Sequence, residues 1–499
     1  MTAKIKMKNL YFKIENGKID YGGNLTYEDN QYIVAAEGDV YIGEKFASLL
    51  QIAELLHSGE NSLASLDGVY SIISFNKQSK ELVAVQDYFS YIHPLYFCAT
   101  DCGIHIALFL RQIVAERKDI ACLERENIVE FLYNGFLTDD RSLIRGVKKV
   151  PAMHVLIYDD NRHSVRYFKR QFIVDADYCS ESDYFNLIKN DLVGFLSKNP
   201  RLNMALSSGY DSNFLLCAVN RIKPGATINA YTIGSADGND EIQAVKEICS
   251  HHPEVILKID KVTPGVLCNL PQMVYELEDS VFERGIFLQY VIGNAIRTDG
   301  EKSLLLGEGA DQVLSSEFNT QCKSYYFVGK EQHYPWVYYP YEMLTYIILK
   351  KNGIFLRNRD VTPCYPFLRA DFIKKVSSLR KLNGTSKEHY KHYVASMAGK
   401  EVGKILIKRP GSTNLSSLLS DSNLWILNQA RGSSFYSMLP PQPDRDSGSE
   451  AELDSCLKVL FLIVFEQIFC RHAGNQLKDK HFDCPLDELI KEYLKNKGV

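Results

Sequence analysis

Residues 203–216, NMALSSGYDSNFLL, run from an apolar segment through Ser207, Ser208 and Gly209 to an Asp211-Ser212 pair. The chain turns hydrophobic again at Phe214. This pattern reads as a strand, a tight small-residue loop and a helix. At the carboxyl end of a strand in an open α/β sheet, such a loop lies where ligands bind. Small side chains let backbone N–H groups approach an anion, and a helix beginning near Ser212 adds its positive end. Ser207, Ser208 and Ser212 add hydroxyl donors. Asp211 would repel a phosphate unless it holds Mg²⁺ against it; its plain alternative role is to cap the helix.

A second stretch, SLLLGEGADQVL at 303–314, is another apolar strand entering a glycine turn. Gly307 and Gly309 bracket Glu308, and Asp311 follows. Two strand-end loops each presenting an Asp suit a Mg²⁺-bound triphosphate.

These loops need strands and helices to hold them. From about residue 178 strands alternate with helices: NMAL, then SNFLLCAVNRI, then INAYTIGS, DEIQAVKEICSHH and VILKI. That order argues for a parallel sheet covered on both faces. Ahead of it, SESDYFNLIKNDLVGFLSKN has the apolar spacing of an N-capped amphipathic helix. Beyond 320 the chain reads as mainly helical, with a polar break at 439–450. Residues 8 to about 170 are instead dense in short strand-like runs such as YIVAAEGDVYIG, GVYSIISFN, ELVAVQDYF, GIHIALF and HVLIYDD, interrupted by one helix-like segment, FASLLQIAELLHSG.

The loop pair resembles the PP-loop ATP pyrophosphatase domain of asparagine synthetases and their relatives. That family's first loop is usually Leu-Ser-Gly-Gly-x-Asp-Ser, where this chain has Leu206 to Ser212 with Ser208 in place of the first glycine. The second signature, Ser-Gly-Glu-Gly-Ala-Asp-Glu, is matched by Leu306 to Gln312. The resemblance implies that Leu206, Ser207, Ser208, Gly209, Asp211 and Ser212 hold the pyrophosphate end of ATP, with Gly307 and Gly309 beside them. Asp211 and Asp311 would carry Mg²⁺, and Ile233 and Gly234 would cradle adenine. Such enzymes transfer AMP from ATP to a carboxylate, and an amine then displaces AMP to make an amide. Lys408, in ILIKRPGSTN, is the candidate for charge stabilisation in that step, with Lys391 as a second phosphate contact. Glu308 is the candidate base or orienting group.

The first part of the chain resembles a class II glutamine amidotransferase domain. SLASLDGVYSIISFN, VQDYFSYIHPLYF and VKKVPAMHVLIYDD carry that likeness. The implied fold is α/β: an Ntn-hydrolase-like α+β domain of stacked antiparallel sheets over 1–172, then a PP-loop α/β domain over 178–499 with a parallel sheet and a helical C-terminal part. A glutaminase of this type uses an N-terminal cysteine, whereas Met1 is followed by Thr2 and the first cysteine is Cys98. The family's Asn-Gly-Glu element reads Glu37-Gly38-Asp39, and only 24 residues separate Tyr41 from Leu66. The domain is therefore expected to be degenerate, a scaffold without glutamine hydrolysis.

The expected activity is an ATP-dependent, AMP-forming amide ligation. Relatives lacking glutaminase activity include β-lactam synthetases and lasso-peptide cyclases. The leading expectation is macrocyclisation of the lasso-cyclase type, with a ribosomal precursor peptide as carboxylate substrate and a partner protease. Amidation of a small carboxylate by ammonia, and a nucleotide-binding pseudo-enzyme, are the alternatives.

Composition narrows the partners. A formal charge of -4 gives no electrostatic case for nucleic acid. The longest apolar stretch, VLFLIVF at 459–465, is too short to span a bilayer and reads as a buried helix. Twelve scattered cysteines without a CxxC pair, and no apolar leader, favour reduced thiols and a cytoplasmic location.

Overall fold

The computed structural model describes residues 10–42, 45–59, 63, 65–88, 94–137, 139–151, 153–170, 184–199, 201–235, 240–283, 285–310, 313, 348–369, 372, 376, 387–407, 423–439 and 450–471. The first part builds two antiparallel sheets. One contains β1 (Tyr11–Glu15), β2 (Lys18–Gly22), β8 (Tyr96–Thr100), β9 (Gly103–Ala107) and β10 (Lys148–Lys149), in the order β10-β8-β9-β1-β2. The other contains β3 (Leu25–Glu28), β4 (Tyr32–Ile42), β6 (Leu66–Asn76), β7 (Glu81–Gln86), β11 (His154–Asp159) and β12 (Ser164–Lys169). Its order is β12-β11-β7-β6-β4-β3, and β5 (Lys45–Phe46) pairs with β4.

The alternation of side chains explains the stacking. Ile33, Ala35, Ile73 and Phe75 point to one face and meet Phe12, Ile14, Ile104 and Ile106 of the other sheet. Val34, Ala36, Ile72 and Val83 point the opposite way, beneath Ile52, Ala53 and Leu56 of α1 (Leu49–Leu56). Both faces of β4 and β6 are thus covered, so these strands read as nearly continuous apolar runs. Ser48 and Gln51 close the start of α1 as a capping box.

The outer face of the first sheet is not left to solvent. Tyr96, Cys98 and Ala107 share one apolar cluster with α2 (Leu110–Glu116) and α3 (Arg125–Asn134). The same cluster takes in side chains from the second half of the chain, including Phe282, Phe287, Phe461 and Phe465. A buried ion triad adds to this contact: Lys149 Nζ and Lys350 Nζ each lie 2.9 Å from a different oxygen of Asp279. All three side chains are almost fully inaccessible.

The second part is a parallel sheet. Its strands are β13 (Leu202–Ala205), β14 (Ile228–Ser235), β15 (Val255–Val262), β16 (Ser303–Leu305) and β17 (Thr362–Cys364). The order β15-β14-β13-β16-β17 reverses direction between β13 and β16. Around it lie α4 (Tyr184–Lys198), α5 (Tyr210–Ile222), α6 (Asp240–Ser250), α7 (Leu270–Leu277) and α8 (Gly285–Thr298). Further along are α9 (Ile348–Arg357), α10 (Lys387–Met397), α11 (Lys400–Ile407), α12 (Asn423–Arg431) and α13 (Glu450–Glu466). The apolar stretch 459–465 falls within α13 and contributes to the shared cluster. The expectation of a mainly helical tail misses β17, whose three residues include Pro363; proline is tolerated because β17 is an edge strand.

Candidate functional site

The reversal of strand order creates a crevice at the carboxyl ends of β13 and β16, and both glycine loops open there. A cavity of about 590 Å³ lies in it. Its wall includes Leu206, Ser207, Gly209, Asp211 and Ser212 from the first loop, and Gly307, Glu308 and Gly309 from the second. Ile233 and Lys391 also line it, so ten of the sequence-derived residues share one wall.

The first loop is braced from within. The Ser207 N–H donates to Ser212 Oγ at 3.1 Å, and the Gly209 N–H donates to Ser207 Oγ at 3.1 Å. Asn213 Nδ2 donates to the carbonyls of Ser207 at 2.9 Å and Gly209 at 2.7 Å. Two loop carbonyls are thus held by one buried amide, which constrains the loop's shape. Thr232 Oγ1 donates to the Leu206 carbonyl, tying the loop to β14.

The helix starts two residues earlier than the sequence suggests. Gly209 is the N-cap of α5 and makes no side-chain capping bond, so Asp211 lies inside the first turn rather than capping it. The first N–H groups of a helix lack intrahelical acceptors, and Gly209, Tyr210, Asp211 and Ser212 line the cavity, an arrangement that favours an anion.

The two loops touch. A Cβ placed on Gly307 would lie 3.1 Å from the Ser212 nitrogen and 3.2 Å from both the carbonyl carbon and the Cβ of Asp211. Gly309 has φ +101°, a left-handed conformation that favours glycine, and Leu368 fills the space a side chain would need.

Glu308 sits at the cavity edge with its carboxyl group largely surrounded by protein. Desolvation raises its pKa above the usual carboxylate value, while the Lys351 charge and Asn352 hydrogen bond oppose the shift. Asn352 Nδ2 donates to Glu308 Oε1 at 2.6 Å. Lys387 and Lys391, both on α10, also line the cavity and bring positive charge to its wall, and Lys391 Nζ contacts Glu388 at 2.7 Å.

Two expected residues take other places. Ser208 is buried behind the loop and is not in the cavity wall, and its Oγ has no hydrogen-bond partner among the described residues. Gly234 is likewise absent from the wall; a side chain there would collide with Ile242 of α6. Asp311 and Lys408 lie outside the described residues. Leu406, near the end of α11, lines the cavity.

Sequence reasoning missed several wall residues, because they come from elements distant in the chain. Leu288, Gln289 and Ile292 of α8 form an apolar side with Ile233. Gln289 Oε1 is buried without a hydrogen-bond partner among the described residues, an acceptor on the wall of an otherwise apolar slot. Tyr390, one turn beyond Lys387 on α10, also lines the cavity.

As for metals, the described residues contain no group of three His, Cys, Asp or Glu side chains placed to hold an ion. Asp211 supplies one hard oxygen donor, which fits Mg²⁺, an ion that commonly takes one or two carboxylates and fills its shell with phosphate and water. No helix among the described residues is long and apolar enough to cross a membrane.

Residues 196–333 match the asparagine synthase family, and residues 47–169 match the glutamine amidotransferase domain family. No curated protein shows significant similarity. Among solved structures, the glutamine-dependent NAD+ synthetase from Acinetobacter baumannii in complex with ADP is 12% identical, with a TM-score of 0.21. That match covers 38% of this chain, which spans 41% of the synthetase's length. The glutamine phosphoribosylpyrophosphate amidotransferase from B. subtilis, complexed with ADP and GMP, is 11% identical with a TM-score of 0.21; 60% of this chain and 74% of that one are covered. A glutamine amidotransferase domain followed by an asparagine synthase domain along one chain supports an asparagine synthetase-like family.

Proposed function

We propose that the chain is an ATP-dependent, AMP-forming amide ligase that acts without hydrolysing glutamine. It transfers AMP to a carboxylate with release of pyrophosphate, and an amine then displaces the AMP. The observation that carries this reading is the contact of Gly307 with Asp211, which joins two strand-end loops over one cavity. The cavity's volume is within the usual range for small-molecule sites.

Cavity placement supports most of these roles, and those of Asp311 and Lys408 rest on the sequence motifs alone. The first turn of α5 and the loop 207–209 take the pyrophosphate end of ATP. Ile233, Leu288 and Ile292 pack against the base, and Gln289 accepts a hydrogen bond from it. Asp211 holds Mg²⁺, with Asp311 as the second ligand. Lys387 and Lys391 offset phosphate charge, and Lys408 serves the developing negative charge of the carboxylate. Glu308 is well suited to accept the amine's proton, since its raised pKa brings it nearer to neutral pH.

The reading without glutamine hydrolysis is supported by the buried Cys98, the first cysteine of the chain. Burial pushes the Cys98 thiol up, the opposite of what an activated nucleophile needs. The leading substrate is a ribosomal precursor peptide whose N-terminal amine joins an internal Asp or Glu side chain, as in lasso-peptide cyclisation, with a partner protease preparing that amine.

The test is direct. Purified protein, ATP, Mg²⁺ and a peptide with a free N-terminus and an internal Asp or Glu should yield AMP, pyrophosphate and a product lighter by one water. Glutamate released from glutamine would overturn the claim about the first domain. Amidation of a small carboxylate by ammonia alone would replace the cyclase reading, and nucleotide binding without AMP release on any substrate would reduce the chain to a pseudo-enzyme.

A further inference from the structure

A second cavity of about 580 Å³ lies at the other end of the parallel sheet, near the amino ends of β13 and β14. Its wall carries Arg201, Lys223 and Lys258 together with Asp299 and Glu301. Nothing in the amide-forming reading uses these residues.

The floor is polar and ordered. Asn203 and Asn229 are partners across β13 and β14. Asn229 Nδ2 donates to Asn203 Oδ1 at 2.9 Å, and Asn203 Nδ2 donates to Glu301 Oε2 at 3.0 Å. Asn203 is 1% exposed and Glu301 7%. A buried polar row of this kind replaces the apolar residues that would stabilise a sheet interior more cheaply.

The charges around that floor are only partly matched to one another. Lys258 Nζ contacts Asp299 Oδ2 at 2.6 Å, and the Tyr231 hydroxyl donates to the same oxygen at 2.8 Å. Arg201 reaches Glu301 only at 3.5 Å and is 72% exposed on its side chain. Lys223 has no side-chain partner among the described residues. The wall therefore offers a carboxylate Lys223, unpaired among the described residues, and the loosely paired Arg201, and offers an ammonium the carboxylates of Asp299 and Glu301, each already in contact with one cation.

We propose that this cavity binds a free α-amino acid as a zwitterion, its carboxylate on Lys223 and Arg201 and its ammonium on Asp299 and Glu301. Tyr231 links the site to the nucleotide cavity: it lines the first cavity, its ring is buried, and its hydroxyl ends on Asp299 in the second. Helix α8 spans the same gap, from Leu288 and Ile292 at one cavity to Asp299 just past its end at the other. An amino acid that draws Asp299 toward its ammonium group weakens the hold on Tyr231, so nucleotide affinity changes with occupancy.

Calorimetry on the full chain tests this with L-alanine, L-aspartate and L-lysine, against propionate and ethylamine, which keep one charge each. At least one amino acid should bind at least tenfold more tightly than either single-charge probe. Lys223→Ala, a change at an exposed position, should weaken that binding about tenfold while leaving the affinity for a non-hydrolysable ATP analogue unchanged when no amino acid is present. A saturating amino acid should shift the analogue's Kd at least threefold. No binding by any amino acid, equal binding of propionate, or indifference to Lys223→Ala would overturn the site. An unchanged analogue Kd would overturn the link through Tyr231. These readouts do not depend on amide formation, so their failure is distinct from failure of the ligase reading.

Discussion

Gly307 lies against Asp211 with no room between them: a Cβ on the glycine would approach the Asp211 carbonyl carbon and Cβ to 3.2 Å. The neighbours on that side are mainly backbone, which cannot swing away. Gly307→Ala should therefore push the two loops apart, at a cost of about 1–3 kcal/mol for overpacking. Binding of a non-hydrolysable ATP analogue should weaken by about tenfold, which corresponds to about 1.4 kcal/mol. Calorimetry measures it, with circular dichroism as a check on folding. Unchanged affinity would mean that the loop contact does not shape the nucleotide site.

Asn352 holds one oxygen of Glu308 at 2.6 Å, and this bond favours the ionised carboxylate. Asn352→Leu removes the donor, so the Glu308 pKa should rise further. If Glu308 acts as a base, the acidic limb of the kcat/KM profile should move to higher pH. A purely structural role for Asn352 would lower activity evenly at every pH instead.

Gln289 offers an unpartnered carbonyl oxygen beside Ile233, Leu288 and Ile292. An adenine amino group is a donor for it, and hypoxanthine lacks that donor. The protein should prefer ATP to ITP, and Gln289→Leu should erase about threefold to tenfold of that preference, the worth of one hydrogen bond. Competition binding of the two nucleotides gives the ratio.

Asp279 stands between Lys149 and Lys350, deep in the contact between the two halves. Asp279→Asn would leave both lysines buried without a counter-charge, and about 3–5 kcal/mol of stability should be lost, read from the urea midpoint.

Lys350 gives the same triad a pH signature. Desolvation pushes its ammonium down to about 8 from the usual 10.5, with Asp279 opposing the shift. Between those values the unfolded chain holds a proton that the folded chain has released. Stability attributable to Lys350 therefore rises with pH across this window. The urea midpoint of the wild type minus that of Lys350→Met should grow more positive from pH 8 to 10. A flat difference would show that Lys350 titrates as an ordinary surface lysine.

Much of this site is written in short stretches of sequence. Leu206 to Ser212 and Gly307 to Gly309 are legible because a strand, a glycine turn and a helix start leave a local pattern. Burial on both sides also makes β4, β6 and β14 plain. Gln289, Lys387 and Asn352 are not legible in that way. Each stands on a helix whose remaining residues are ordinary, and only the fold turns its side chain toward the cavity or toward Glu308. The start of α5 differs from the sequence expectation for a related reason: Gly209 serves as N-cap without a side chain to announce it. β17 escaped notice because three residues carry no periodicity.

The apolar cluster that runs from Tyr96 through Phe282 to Phe461 makes the first part of the chain and the second two halves of a single interior. A module joined by a linker is free to vanish once its chemistry is no longer needed. Here its removal would strip the cover from Phe282, Phe461 and the Asp279 triad, so the ligase half would be left with an open wound of aromatic rings and charge. The shared interior therefore ties the solubility of the second part to the presence of the first, whether or not the first turns over a substrate.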